Sequence, residues 1–92
     1  MAEQAIAVVL WTESAKKSFQ RIVKYLQQEW NDKEVSNFIN RTQDMIELLK
    51  RYPEMCRPST KRKNVRIGIL DKHTQLVYYY SPRKEAIKIL LF

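Results

Sequence analysis

The stretch Arg57–Phe92, RPSTKRKNVRIGILDKHTQLVYYYSPRKEAIKILLF, decides how this chain folds. It opens with a basic loop over residues 57–63 and continues with three short runs that alternate apolar and other residues, which is typical of strands with two different faces. The predicted strands are Asn64–Leu70, Gln75–Tyr80 and Ala86–Phe92. Two short polar stretches, residues 71–74 and 81–85, predict the turns between them. The sequence therefore predicts a three-stranded antiparallel meander.

The residues at the start of the chain predict one further strand. Residues 5–11, Ala-Ile-Ala-Val-Val-Leu-Trp, are an almost continuous apolar run of strand length. Such a run favours a buried strand over an edge strand that faces water. Pairing with either the first or the last strand of the meander is compatible with the sequence.

Two amphipathic helices are predicted between this strand and the meander. In the first, apolar residues recur at helical spacing from Glu13 to about Trp30, with Thr12 as its N-cap and Trp30 closing the core at its end. In the second, Asp32 is expected to be the N-cap, and Pro53 stops the helix. Because the link is very short, the helices should form an antiparallel hairpin that covers one face of the sheet.

The order of elements is β-α-α-β-β-β, which predicts an α+β fold in a single domain over residues 1–92. The single cysteine, Cys56, cannot form an internal disulfide. No secretory signal and no apolar run of membrane-spanning length are recognisable. These observations indicate a cytoplasmic protein with no membrane partner.

Positive charge is concentrated in the C-terminal half. Residues 54–92 contain nine lysines and arginines against three acidic residues, and the whole chain has a formal net charge of +7. Such an imbalance concerns partners rather than the fold. By charge alone, the candidate partners are nucleic acid, the ribosome, an acidic protein surface or an anionic membrane.

The basic cluster is the most informative candidate site in the sequence. Its side chains could neutralise phosphates or stabilise a negative transition state, or they could simply form a solvated surface. The cluster consists of Arg57, Lys61, Arg62, Lys63 and Arg66. The only histidine, His73, lies in a predicted turn and is better explained as an exposed turn residue than as a catalytic base. No strong enzymatic or metal-binding motif occurs, so no cofactor and no metal are expected.

At this point the sequence resembles the RelE/ParE superfamily of toxins from bacterial type II toxin–antitoxin systems, over nearly its whole length. The resemblance rests on the order and spacing of several short stretches. They are Val9-Leu10-Trp11-Thr12 with Ala15, residues 22–26 with Trp30, residues 48–55 followed by Arg57-Pro58, Val65-Arg66, Lys72-His73-Thr74, residues 76–80, and Ile87-Lys88-Ile89-Leu90.

The resemblance is closer to the ParE-like, plasmid-stabilisation branch, as in Tyr52-Pro53-Glu54-Met55, although Cys56 stands where a glycine is usual. It implies a toxin that inhibits DNA gyrase, is neutralised by a cognate antitoxin and meets DNA only through the antitoxin complex. Target or antitoxin would be bound by basic side chains. This expected binding set is Arg57, Lys61, Arg62, Lys63, Arg66 and Arg83.

The superfamily also implies an alternative, a ribosome-dependent mRNA endoribonuclease of the RelE type. Its catalytic residues would be Lys61, Lys63, Arg66 and His73. The strand-end position that is basic in RelE-like enzymes falls at about Leu70-Asp71, and their residues after the last strand would have to follow Phe92, where this sequence stops. A third possibility is an inactive member that only binds an antitoxin or joins an autoregulatory DNA complex.

Overall fold

The computed structural model describes residues 7–92, which form two helices and five strands. The helices are α1 (Glu13–Glu29) and α2 (Asp32–Arg51). The strands are β1 (Val8–Trp11), β2 (Arg57–Pro58), β3 (Val65–Ile69), β4 (Gln75–Ser81) and β5 (Ala86–Leu91). The predicted α+β class, the helical hairpin and the mostly antiparallel sheet are confirmed.

The sheet has the strand order β1-β5-β4-β3-β2. The first strand therefore pairs with the last, and this pair is parallel, with Val8 opposite Ala86 and Trp11 opposite Ile89. The other neighbouring strands are antiparallel. This pairing decides between the two partners that the sequence left open for the N-terminal strand.

The prediction that the first apolar run forms a buried strand is wrong. β1 lies at an edge of the sheet, and Val8 and Leu10 are 58% and 50% exposed. Only the alternate residues, Val9 and Trp11, pack against the core. An uninterrupted apolar run carries no information about lateral neighbours, so it did not reveal that one face of this strand is left uncovered. Residues 5 and 6 of the run lie outside the described part of the chain.

The predicted basic loop also contains a short strand. In β2, Arg57 pairs with Ile67 and Pro58 pairs with Arg66, and the amide of Ser59 then donates to the carbonyl of Val65 at 2.7 Å. A strand of two residues has no periodicity that a sequence pattern could show. The sequence therefore did not predict β2. This strand fixes Arg57 at the edge of the sheet.

Both helices begin with side-chain caps. The Thr12 hydroxyl accepts from the Ala15 amide at 3.1 Å, as predicted. The cap of α2 is Asn31, whose side-chain oxygen accepts from the Glu34 amide at 3.0 Å. The assignment of the cap to Asp32 is wrong by one residue: Asp32 is already helical, and its charge lies in the first turn, where it suits the helix dipole.

The core lies between the helical hairpin and one face of the sheet. Its fully buried members are Ala15, Leu49, Leu76, Tyr78, Ile87 and Ile89. Trp11, Phe19, Phe38 and Phe92 form an aromatic cluster beside it, with ring centroids 5.2–5.3 Å apart. Trp30, predicted to close the core, is instead 62% exposed. The apolar stripe of α1 thus extends past the part of the helix that the sheet covers.

Gly68 is a point of close approach between β3 and the layer above it. A Cβ atom at this position would lie 3.0 Å from the Cys56 Sγ atom and 3.7 Å from the end of Met45. The half-buried thiol of Cys56 therefore fills the space that the missing side chain leaves. This contact holds the segment before β2 against the sheet.

We expect Thr12→Val to lower the free energy of unfolding by about 1–2 kcal/mol, because it removes the cap of α1. The same hydroxyl also donates to the Ile89 carbonyl at 2.7 Å and so ties the end of β1 to β5. Thr12→Ser keeps both hydrogen bonds and is the matched control. Urea unfolding followed by circular dichroism measures the difference; equal losses in both variants would contradict this role of the hydroxyl.

Candidate functional site

Three of the predicted site residues, Lys61, Arg62 and Lys63, lie in the loop between β2 and β3 and are exposed. The Ser59 hydroxyl accepts from the Lys61 amide at 3.1 Å, which shapes the start of this loop. At its end, Asn64 has a positive φ of 64°, and its carbonyl accepts from the Tyr80 amide at 3.0 Å. The loop is thereby fixed beside the end of β4.

A second basic loop lies at the same end of the sheet. The turn after β4 contains the exposed residues Arg83 and Lys84, and Ser81 pairs with Ala86 across it. The strand register therefore brings this turn and the β2–β3 loop together. We call the five exposed side chains Lys61, Arg62, Lys63, Arg83 and Lys84 the cationic end. None of them forms an ion pair with a carboxylate in the part of the chain that the structure describes.

Arg57 is exposed on the edge strand β2 and lies outside the cationic end. Its partner across the ladder is Ile67. Paired residues share a face of the sheet, and successive residues of a strand alternate between faces, so Arg57 projects on the face opposite to that of Arg66, which directly precedes Ile67 in β3. The predicted cluster is thus divided between a loop and the two faces of the sheet.

Arg66 is bound to the protein's own backbone. Its Nη1 atom donates to the carbonyls of Cys56 and Glu54 at 2.6 and 3.1 Å, and its Nη2 atom lies 3.6 Å from the Glu54 carboxylate. These contacts hold the segment that leads from α2 into β2. The guanidinium of Arg66 therefore has a structural role within the folded chain.

His73 lies at the other end of the sheet, in the turn between β3 and β4. The Asp71 carboxylate shapes this turn by accepting from the amides of His73 and Thr74 at 2.8 and 2.9 Å. The five residues of β3 separate His73 from Lys61 and Lys63. The structure does not bring together the residues named for an endoribonuclease.

Tyr78, which pairs with Arg66 across the β3–β4 ladder, is a further side chain that could act in proton transfer. Its ring is fully buried, and its hydroxyl donates to the Pro53 carbonyl at 2.7 Å. Burial, together with the neighbouring Cys56, raises the pKa of the Tyr78 hydroxyl well above its usual range. A phenol that keeps its proton cannot act as a general base at neutral pH.

Sequence reasoning missed an open groove of about 950 Å³ at the end of the sheet opposite the cationic end. Phe38 is buried along its wall, whereas Tyr25 and Trp30 are 56% and 62% exposed. The remaining apolar lining residues are Ile22, Leu26, Val77, Leu91 and Phe92. Exposed apolar side chains gathered in one place are typical of an interaction site. The sequence signal was the apolar stripe of α1, which continues to Trp30 although the sheet does not cover that end.

The rim of this groove carries charges of both signs. Arg41 of α2 and Asp71 of the β3–β4 turn approach to 3.5 Å across it. Glu34, Lys72 and His73 also line the groove. The Arg41–Asp71 ion pair links the helical hairpin to the sheet at the groove.

No group of three or more histidine, cysteine or acidic side chains within residues 7–92 is placed to hold a metal ion. Neither α1 nor α2, the helices found there, is long and apolar enough to cross a membrane.

The sequence matches the family model described as ParE toxin of type II toxin-antitoxin system, parDE, over residues 9–91. The chain belongs to the ParE toxin family. The match runs from within β1 to the end of β5 and so includes α1, α2 and the strands β2 to β5. No curated protein matches the sequence. As a ParE-family member, the protein is a toxin of a type II toxin–antitoxin system, and this class implies an antitoxin partner.

For this ParE-family toxin, we expect Arg66→Ala to lower the free energy of unfolding by about 1–2 kcal/mol, because the Cys56 and Glu54 carbonyls lose their donor. Arg57→Ala is the matched control. Arg57 is exposed and makes no side-chain hydrogen bond within residues 7–92, so its loss should change stability by less than about 0.5 kcal/mol. Chemical denaturation measures both values. Similar stability of the two variants would contradict the structural role of Arg66.

Proposed function

We propose that this toxin inhibits growth in the cytoplasm by binding DNA gyrase and that a cognate antitoxin neutralises it, as in a plasmid-stabilisation module. The observation that carries the proposal is the match to the ParE toxin family over residues 9–91. Binding requires exposed complementary surfaces rather than a catalytic centre. The cationic end and the apolar groove are two such surfaces.

The geometry gives less support to an endoribonuclease. Metal-free cleavage of RNA needs a base close to the groups that stabilise the negative phosphorane. His73 lies across β3 from Lys61 and Lys63, and the buried Tyr78 keeps its proton. Arg66 is engaged by two backbone carbonyls. The basic residues are therefore better suited to contacting a target than to chemistry.

The apolar groove is proposed as the antitoxin site. A groove walled by Tyr25, Trp30 and Phe38 suits the apolar face of an amphipathic helix, which inserts side chains at helical spacing. The net charge of +7 on the toxin favours a segment that is acidic elsewhere along its length. Such a segment would become ordered on binding and would raise the thermal stability of the toxin by mass action.

The basic residues are proposed as the target side. Lys61, Arg62, Lys63 and Arg83 are exposed at the cationic end, and Arg57 is exposed on β2. Arg66, the sixth member of the expected binding set, would contribute indirectly, by holding the backbone that leads to Arg57.

The proposed function is tested by two assays on the same purified toxin. The first follows supercoiling of relaxed plasmid by gyrase, and the second follows mRNA cleavage in a reconstituted translation mixture. We expect loss of supercoiling with intact mRNA. Toxin saturated with antitoxin is the control and should leave supercoiling unaffected.

The outcomes separate the candidate functions. Cleaved mRNA with normal supercoiling would indicate that the target is the ribosome rather than gyrase. Normal supercoiling with intact mRNA, from toxin that still binds its antitoxin, would indicate an inactive member that serves only in an autoregulatory complex.

A further inference from the structure

The net charge of the toxin comes from two segments that form or flank the cationic end. Residues 50–66 and 81–88, which flank or form that end, contain ten lysines and arginines but only two acidic residues, Glu54 and Glu85. All other residues together contain seven lysines and arginines and eight acidic residues. A charge that served only solubility would not need this segregation, because dispersed charges serve it equally well.

The fold brings these segments together although they are distant in sequence. The Asn64 carbonyl accepts from Tyr80, and the Glu85 carbonyl accepts from the Val8 amide at 2.9 Å. The Lys50 carbonyl accepts from the Ala7 amide at 3.0 Å, so the end of α2 lies at the same end of the sheet. Adjacent strands are about 4.8 Å apart, so the loop that leads into β3 and the turn between β4 and β5 lie roughly one to two strand spacings apart.

The acidic residues at this end leave most of the cations free. Glu54 is engaged by Arg66, and Lys50 is engaged by Glu47 of its own helix. The five side chains of the cationic end are exposed and have no ion-pair partner within residues 7–92. Exposed, unpaired cations at spacings of several ångströms suit a regular row of phosphates, such as a DNA backbone.

We propose that the cationic end binds the phosphate backbone of duplex DNA directly and without sequence preference. This goes beyond the proposed function, because it gives the toxin its own contact with DNA. It also departs from the expectation that DNA is reached only through the antitoxin complex. If gyrase is the target, the same contact would hold the toxin on gyrase that carries DNA; only this last consequence rests on the proposed function.

The contact is tested with toxin alone and a fluorescent 20-base-pair duplex, using anisotropy between 50 and 200 mM salt. Five phosphate contacts predict about a 500-fold loss of affinity over this range. The variant Lys61→Gln/Arg62→Gln/Lys63→Gln removes three of them, so its affinity should fall only about 12-fold over the same range.

The matched control is Lys17→Gln/Arg21→Gln/Lys24→Gln, which removes two lysines and one arginine from exposed positions on α1. Its salt dependence should remain that of the unmodified toxin, and thermal melting checks that both variants fold. Identical salt dependence in the two triple variants would show that only net charge matters and would overturn the proposal. Absence of binding at 50 mM salt would overturn it too.

A polyglutamate peptide with as many charges as the duplex tests the alternative of an acidic protein partner. We expect it to bind at least tenfold more weakly than the duplex. Equal binding would overturn the assignment to DNA. Because no gyrase is present, these results are independent of the supercoiling assay.

Discussion

The parallel pairing of β1 with β5 is the contact on which the rest of the architecture depends. It joins strands whose paired residues, such as Val8 and Ala86, are 78 positions apart in the sequence. The Thr12 hydroxyl links them further by donating to the Ile89 carbonyl while capping α1. Two parallel strands must be joined by a crossover connection, because the chain has to return to the same end of the sheet before it forms the second strand. The helical hairpin makes the first part of this crossover, and its apolar stripe covers the sheet face that contains Ile87 and Ile89.

The helical hairpin covers one face of the sheet, so the two ends of the sheet are formed by loops. The loops at the two ends differ in chemistry. Basic loops meet beside Ser81 and Ala86, whereas the opposite end holds the apolar groove near Trp30. Arg66 and Gly68, on the covered face of β3, do not take part in either surface; they hold the segment around Cys56 in place. The proposed antitoxin and target sites therefore lie at opposite ends of this small domain.

Periodic patterns predicted the helices and the meander because burial on one face repeats along each element. The same patterns could not show that β1 is an edge strand, or that α1 carries Trp30 beyond the sheet, because both depend on neighbours distant in sequence. For the site, the sequence correctly predicted that Lys61 and Lys63 lie in one loop. It could not separate Arg66 from them, since its hydrogen bonds to Cys56 and Glu54 follow from the fold alone.

Amide hydrogen exchange of the toxin saturated with its antitoxin tests most directly whether the two ends serve different partners. We expect slower exchange in residues 22–38 and 71–77, which contain the groove residues, and unchanged exchange in residues 59–64 and 82–85 of the basic loops. Protection of the basic loops by the antitoxin, with the groove unprotected, would contradict the assignment of the two surfaces.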